Sequence, residues 1–154
     1  MFNKILFSIG LTLFSFLSIA QNKNVHHVGS SAGVTTGIGL SYRYWPTKFG
    51  FQVTALPTLI QNETSITSLG ASLLYTLNDA DKIDLYSYFG NSIFLGYHNS
   101  EAEIIYNLGV GFGIKFDIFE DLNFNTQFGY GVMNITNESS TFNIVGETGL
   151  YYHF

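Results

Sequence analysis

Residues 104–118 read IIYNLGVGFGIKFDI, and their alternation decides the fold. Taken at every second position, Ile104, Tyr106, Leu108, Val110, Phe112, Ile114, Phe116 and Ile118 form one set. Asn107, Gly109, Gly111, Gly113, Lys115 and Asp117, with Ile105, form the other. Successive side chains of a strand point to opposite faces, so this segment predicts a strand with one oily face and one small or polar face. A helix would scatter the same residues around its axis, because its repeat is 3.6 and not 2.

The pattern recurs on both sides. In 122–133, Leu122, Phe124, Thr126, Phe128, Tyr130 and Val132 alternate with Asn123, Asn125, Gln127, Gly129, Gly131 and Met133. The stretches 34–45 and 142–154 behave in the same way, and 49–59, 69–77 and 83–97 do so with interruptions. Pro57 is awkward in a central strand and is expected at a bulge near a rim. Residues 23–30 give a weak first strand, with a turn expected at Gly29–Gly33. Further turns are expected at Trp45–Lys48, Gln61–Ser65, Asn78–Lys82, His98–Glu101, Phe119–Asp121 and Asn137–Ser140. Most of these are rich in Gly, Asn, Asp, Ser or Pro. The expected fold is an all-β, eight-stranded antiparallel up-and-down transmembrane β-barrel, an even count that brings both chain ends to one side.

Composition supports a surface that does not face water. Charged residues make up 11% of the 154 and aromatics 17%, against roughly 25% charged in an ordinary soluble domain. The charges inside the expected strands share one phase: Arg43, Asp84, Glu103, Lys115, Asp117 and Glu147 all fall on the small or polar face. A Lys or Arg on a lipid-facing position at mid-depth costs about 2–4 kcal/mol, which explains the segregation. Arg43, Lys115 and Glu147 are expected to form a polar network inside the lumen. Such buried groups need partners, since an unpaired buried charge is costly.

Residues 1–20, MFNKILFSIGLTLFSFLSIA, carry Lys4 before an apolar run and small residues at Ser18 and Ala20. This is the pattern of a signal peptide cleaved after Ala20, which leaves 21–154 as the barrel domain.

These features resemble the small outer-membrane β-barrel family of the OmpA/OmpX type. The resemblance rests on the export signal, the alternating strands, the short turns and the terminal Leu150-x-Tyr152-x-Phe154. The run from Gly37 to Pro46, followed by Phe49 to Val53, resembles hairpins in barrels of this group from Bacteroidetes-like organisms. The resemblance implies a place in a Gram-negative outer membrane, contact with its lipid, and insertion by the barrel assembly machinery, with Leu150, Tyr152 and Phe154 as the assembly signal. It implies no catalytic site, because a fold does not carry a function.

Other classes find little support. The chain has no cysteine, so disulfides and thiolate chemistry are excluded. Its net charge of -5 and lack of a basic cluster argue against a nucleic-acid partner. His26 and His27 are adjacent and point to opposite faces of a strand, so they cannot chelate together. His98 is expected in an outer loop and His153 at the opposite end, so no metal, cofactor or catalytic site is expected. Gly109-x-Gly111-x-Gly113 reads as a lumen-facing glycine row and not as a nucleotide loop. The expected role is that of a monomeric outer-membrane barrel with a structural or surface-interaction function and a lumen filled by side chains. The rival readings are a narrow small-solute channel and an exported lipocalin-like carrier, the latter with a polar outside and an oily inside.

Overall fold

The computed structural model describes residues 25–61, 64–80, 82–98, 101–136 and 140–154. The proposed signal segment 1–20 lies outside them. The chain forms β1 (His26–Gly33), β2 (Gly37–Tyr44), β3 (Phe49–Gln61), β4 (Thr64–Ala80), β5 (Ile83–His98), β6 (Glu101–Phe119), β7 (Leu122–Met133) and β8 (Thr141–His153). Each pairs antiparallel with its chain neighbour, and β8 returns to β1, closing an eight-stranded barrel. Closure leaves no edge where it is complete, which satisfies backbone groups that lipid cannot.

Exposure follows the period-two phase. Along β8, residues 145, 147, 149, 151 and 153 are buried while 142, 144, 146, 148, 150 and 152 are exposed. The outward set is oily: Phe112 is 61% exposed, Phe128 62%, Leu40 72% and Ile144 76%. The inward set is mainly polar: Arg43, Gln52, Asn107, Asn125, Gln127 and Glu147 are all buried, beside Leu74 and the rings of Tyr86, Tyr88 and Tyr151. This arrangement is the inverse of a water-soluble domain, where the oily residues go inside. Pro57 lies within a register shift of β3 between Leu56 and Leu59, at the end of the barrel opposite the termini, as its missing N–H requires.

The first hairpin differs from its sequence reading. The expected turn at Gly29–Gly33 is strand, paired with Gly37–Ser41 and in part with β8. The turn is instead Val34-Thr35-Thr36, and Thr35 and Thr36 are buried instead of alternating. Small residues misled the reading: Gly29, Ser30 and Ser31 look like turn chemistry, but here they line a crowded part of the wall. A Cβ on Gly29 would collide with the backbone of Leu150 and Tyr151. The turn needs Gly37 behind it, at φ 87°, a left-handed conformation that disfavours any side chain. Elsewhere the strands run further than expected. β4 absorbs Asn78–Ala80 by a register shift after Thr76, and β6 reaches back to Glu101.

Candidate functional site: the lumen

The interior is built in three layers. At the end that holds the termini, Trp45 packs edge-on against Tyr86 at a centroid distance of 5.1 Å. A polar pocket of about 240 Å³ opens there, lined by His27, Trp45, Thr76, Asp84, Lys115, Asp117 and His153 among others. Lys115 Nζ lies 2.5 Å from Asp84 Oδ2 and 3.8 Å from Asp117 Oδ1. β5 and β6 place the closer pair directly opposite each other in register. His27 faces His153 across the β1–β8 ladder, and Asn123 Nδ2 donates to Nδ1 of both rings, at 3.3 and 3.1 Å. An amide nitrogen only donates, so each ring carries its proton on Nε2. His153 uses that proton toward the Glu120 carbonyl.

Arg43 occupies the middle layer and is 1% exposed. Its Nε donates to Gln52 Oε1 at 2.7 Å and its Nη2 to Asn125 Oδ1 at 2.9 Å. The guanidinium stacks over Tyr151 at 4.0 Å from the ring centroid, with Tyr86 at 6.0 Å. A planar, weakly hydrated cation suits such a place, because ring faces and amide oxygens replace its water. The ring partners are fixed in turn. Tyr151 donates to Ser41 Oγ at 2.9 Å, and Gln127 donates to the Tyr86 hydroxyl at 2.9 Å. The glycine row has a use here, since any Cβ on Gly113 would meet the Tyr86 ring.

The third layer is the inward-folded β1–β2 turn. Thr35 donates to Glu147 Oε1 twice, from its backbone N at 2.7 Å and its hydroxyl at 2.6 Å. The Val34 carbonyl accepts from Ser92 Oγ at 2.5 Å and from Asn107 Nδ2 at 3.0 Å. Ile38 N donates to Ser68 Oγ at 3.0 Å. β4, β5, β6 and β8 therefore all grip the turn, which crosses the lumen as a plug. Gly109 leaves the space that Thr35 fills. Glu147 Oε2 is buried without a protein partner.

The residues expected to form one network all face the lumen, but the structure does not bring them together. Arg43 bonds to amides and rings, Lys115 to Asp84 and Asp117, and Glu147 to Thr35. Period two fixes the face of a residue and says nothing of its depth, so these three charges fall into separate layers. The sequence reading also missed the His27–Asn123–His153 cluster. The signal was available, because His27 and His153 share the inward phase near one end of the barrel. On the outward side, Leu150 and Tyr152 are exposed, while Phe154 stacks near His26 and Tyr152 at 5.9 and 6.4 Å.

A closed up-and-down barrel with oily outside, polar filled interior and both ends on one side defines the class of eight-stranded outer-membrane-type barrels. Solved members of that class superpose on the chain. Neisserial surface protein A matches with a TM-score of 0.51 and 15% identity, over 84% of this chain and 93% of that one. The N-terminal β-barrel domain of Pseudomonas aeruginosa OprF matches with a TM-score of 0.56 and 12% identity, over 84% and 95%. At such identities the likeness is one of fold. No family model matches the sequence, and no curated protein matches it significantly.

Proposed function

We propose that the chain is an exported, monomeric integral protein of a Gram-negative outer membrane, with a structural or surface-interaction role and a lumen closed to solutes. The carrying observation is the Thr35–Glu147 contact, which fastens the first turn across the interior. An eight-stranded barrel is only wide enough for its own side chains, and the layers of Trp45, Arg43 and Thr35 occupy that width. In this reading the termini, the turns 45–48 and 120–121 and Lys82 between β4 and β5 face the periplasm, and the plug lies toward the cell exterior. Aromatic residues Tyr42, Tyr44, Phe49, Phe51, Tyr75, Phe116, Phe124, Tyr152 and Phe154 form the belt at the periplasmic interface. A carrier of the lipocalin kind is disfavoured, because Arg43, Lys115 and Glu147 point inward and the oily residues point out.

The test is made on the chain recovered from outer-membrane fractions. A band that migrates differently before and after boiling, and no sustained conductance in planar bilayers, are the expected results. Recovery only from the soluble periplasm would overturn the membrane reading. Steady conductance by the intact chain would replace the closed barrel with a channel.

A further inference from the structure

The barrel wall is not of even height. β1 pairs with β8 only as far as Ala32 and Thr148, and β2 pairs with β3 only as far as Leu40 and Ala55. Beyond those points β8 runs on from 147 to 141 against β7, and β3 runs on from 56 to 61 against β4. The free stretch of β8 is roughly 20 Å long at about 3.3 Å per residue. The first hairpin stops short of both neighbours and turns inward, and β3 and β8 do not pair with each other. The outer part of the wall is therefore a six-stranded open sheet with a notch above the plug, among the described residues.

The inward-facing phase changes character at the same height. Below the plug it carries Gln52, Ser72, Asn125 and Gln127, all buried. Above it the same phase carries Leu56, Ile66, Phe94, Ile105 and Met133, all partly or fully exposed, with Glu103, Thr141 and Asn143 as its polar members. Phe94 and Ile105 face each other in register, and Ser68 on β4 is the partner of Phe94. The oily members lie one on each of the consecutive strands β3 to β7, and water-filled mouths of barrels are polar, so this band calls for an oily occupant. Leu56 also lines a groove of about 490 Å³ on the outside of the barrel, with Ser30, Ala32, Ile38, Leu40 and Leu150. The groove runs up the lipid-facing side of the short hairpin, so that at Leu56 the outer surface and the inner lining meet.

We infer that this notch admits an acyl chain of an outer-leaflet lipid from the membrane into the oily cup above the Thr35 plug. The proposal rests on the membrane reading above. The groove is continuous with the lipid-facing band, which makes lipid the occupant that reaches the notch without leaving its own phase. A second copy adding a strand at either free edge would satisfy backbone groups, but would leave the oily inward phase unexplained.

Trp45 is the only tryptophan and lies at the far end of the lumen, so a reporter can be placed cleanly. In a Trp45→Phe background, Phe94→Trp places it inside the cup and Phe112→Trp places it on the outer face. Each chain, checked for its heat-dependent band shift, is folded into phosphatidylcholine vesicles with and without brominated acyl chains. Both tryptophans are expected to lose most of their emission to the brominated lipid and little to aqueous iodide. Quenching of the Phe112→Trp reporter by bromine but of the Phe94→Trp reporter only by iodide would overturn the acyl-chain site and leave the membrane barrel standing. Protection of the inner reporter from both quenchers would overturn it too, since a protein segment would then fill the cup. Failure of bromine to quench even the outer reporter would overturn the membrane reading itself. Ile105→Trp repeats the measurement if Phe94→Trp does not fold.

Discussion

Glu147 on β8 holds Thr35 of the first turn by two hydrogen bonds to a single carboxylate oxygen, at 2.7 and 2.6 Å. The two residues are 112 positions apart. Their contact ties the first turn to the last strand just beyond the point where β1 and β8 stop pairing, and so caps the lumen. Hydrogen bonds to a charged group are the stronger kind, at about 1.5–3 kcal/mol each.

Glu147→Ala removes the one oxygen that accepts both bonds and leaves the Thr35 N–H buried without a partner. A loss of about 3 kcal/mol is expected, read as a lower urea midpoint of the barrel refolded in lipid vesicles. Glu147→Gln keeps an acceptor oxygen of the same reach and is expected to lose about 1 kcal/mol. An alanine variant with the parent's midpoint would mean that the plug is not held by this residue.

Arg43 is held by two amide oxygens and a ring face. Arg43→Met leaves Gln52 and Asn125 with unpaired oxygens, and a destabilisation of about 3 kcal/mol is expected. Arg43→Lys should fall between methionine and the parent, because a point charge cannot serve both amides and stack on Tyr151. Equal midpoints for lysine and arginine would show that charge alone matters there.

The outward face makes a prediction of opposite sense to that of a soluble protein. Phe112 is 61% exposed near the middle of β6. Phe112→Arg is expected to cost about 2–4 kcal/mol on folding into a bilayer. A soluble barrel would tolerate, or gain solubility from, the same change, so a neutral result would contradict the membrane assignment.

Phe154 donates its backbone N–H to the His26 carbonyl at 3.0 Å, and its ring rests near His26 and Tyr152. Those ring contacts are worth only about 1 kcal/mol. If Leu150, Tyr152 and Phe154 serve as an assembly signal, Phe154→Ala should fold in vitro nearly as well as the parent. Its level in the outer membrane of cells should nevertheless fall several-fold. Equal abundance in cells would remove the signal role and leave a purely structural aromatic.

The sequence by itself determined which face of each strand meets lipid and which meets the lumen, because alternation is a local property of the chain. That is why 122–133 was legible to the residue and 104–118 as the body of a longer strand, and why the shared phase of Arg43, Lys115 and Glu147 could be read from the chain. It could not determine height. Depth in a barrel depends on the stagger between neighbouring strands, and stagger is set by pairings between distant residues such as Ala32 with Thr148 and Asp84 with Lys115. Tertiary structure alone therefore decided that the three charges lie in separate layers. It also decided that His27 and His153 meet, that Thr35 folds into the lumen, and that the wall is notched above it. The same cause explains the misplaced first turn. Gly29-Ser30-Ser31 looks like a bend until β8 packs against it, and only the closed barrel shows that close approach of backbones, and not a change of direction, is what the small residues permit.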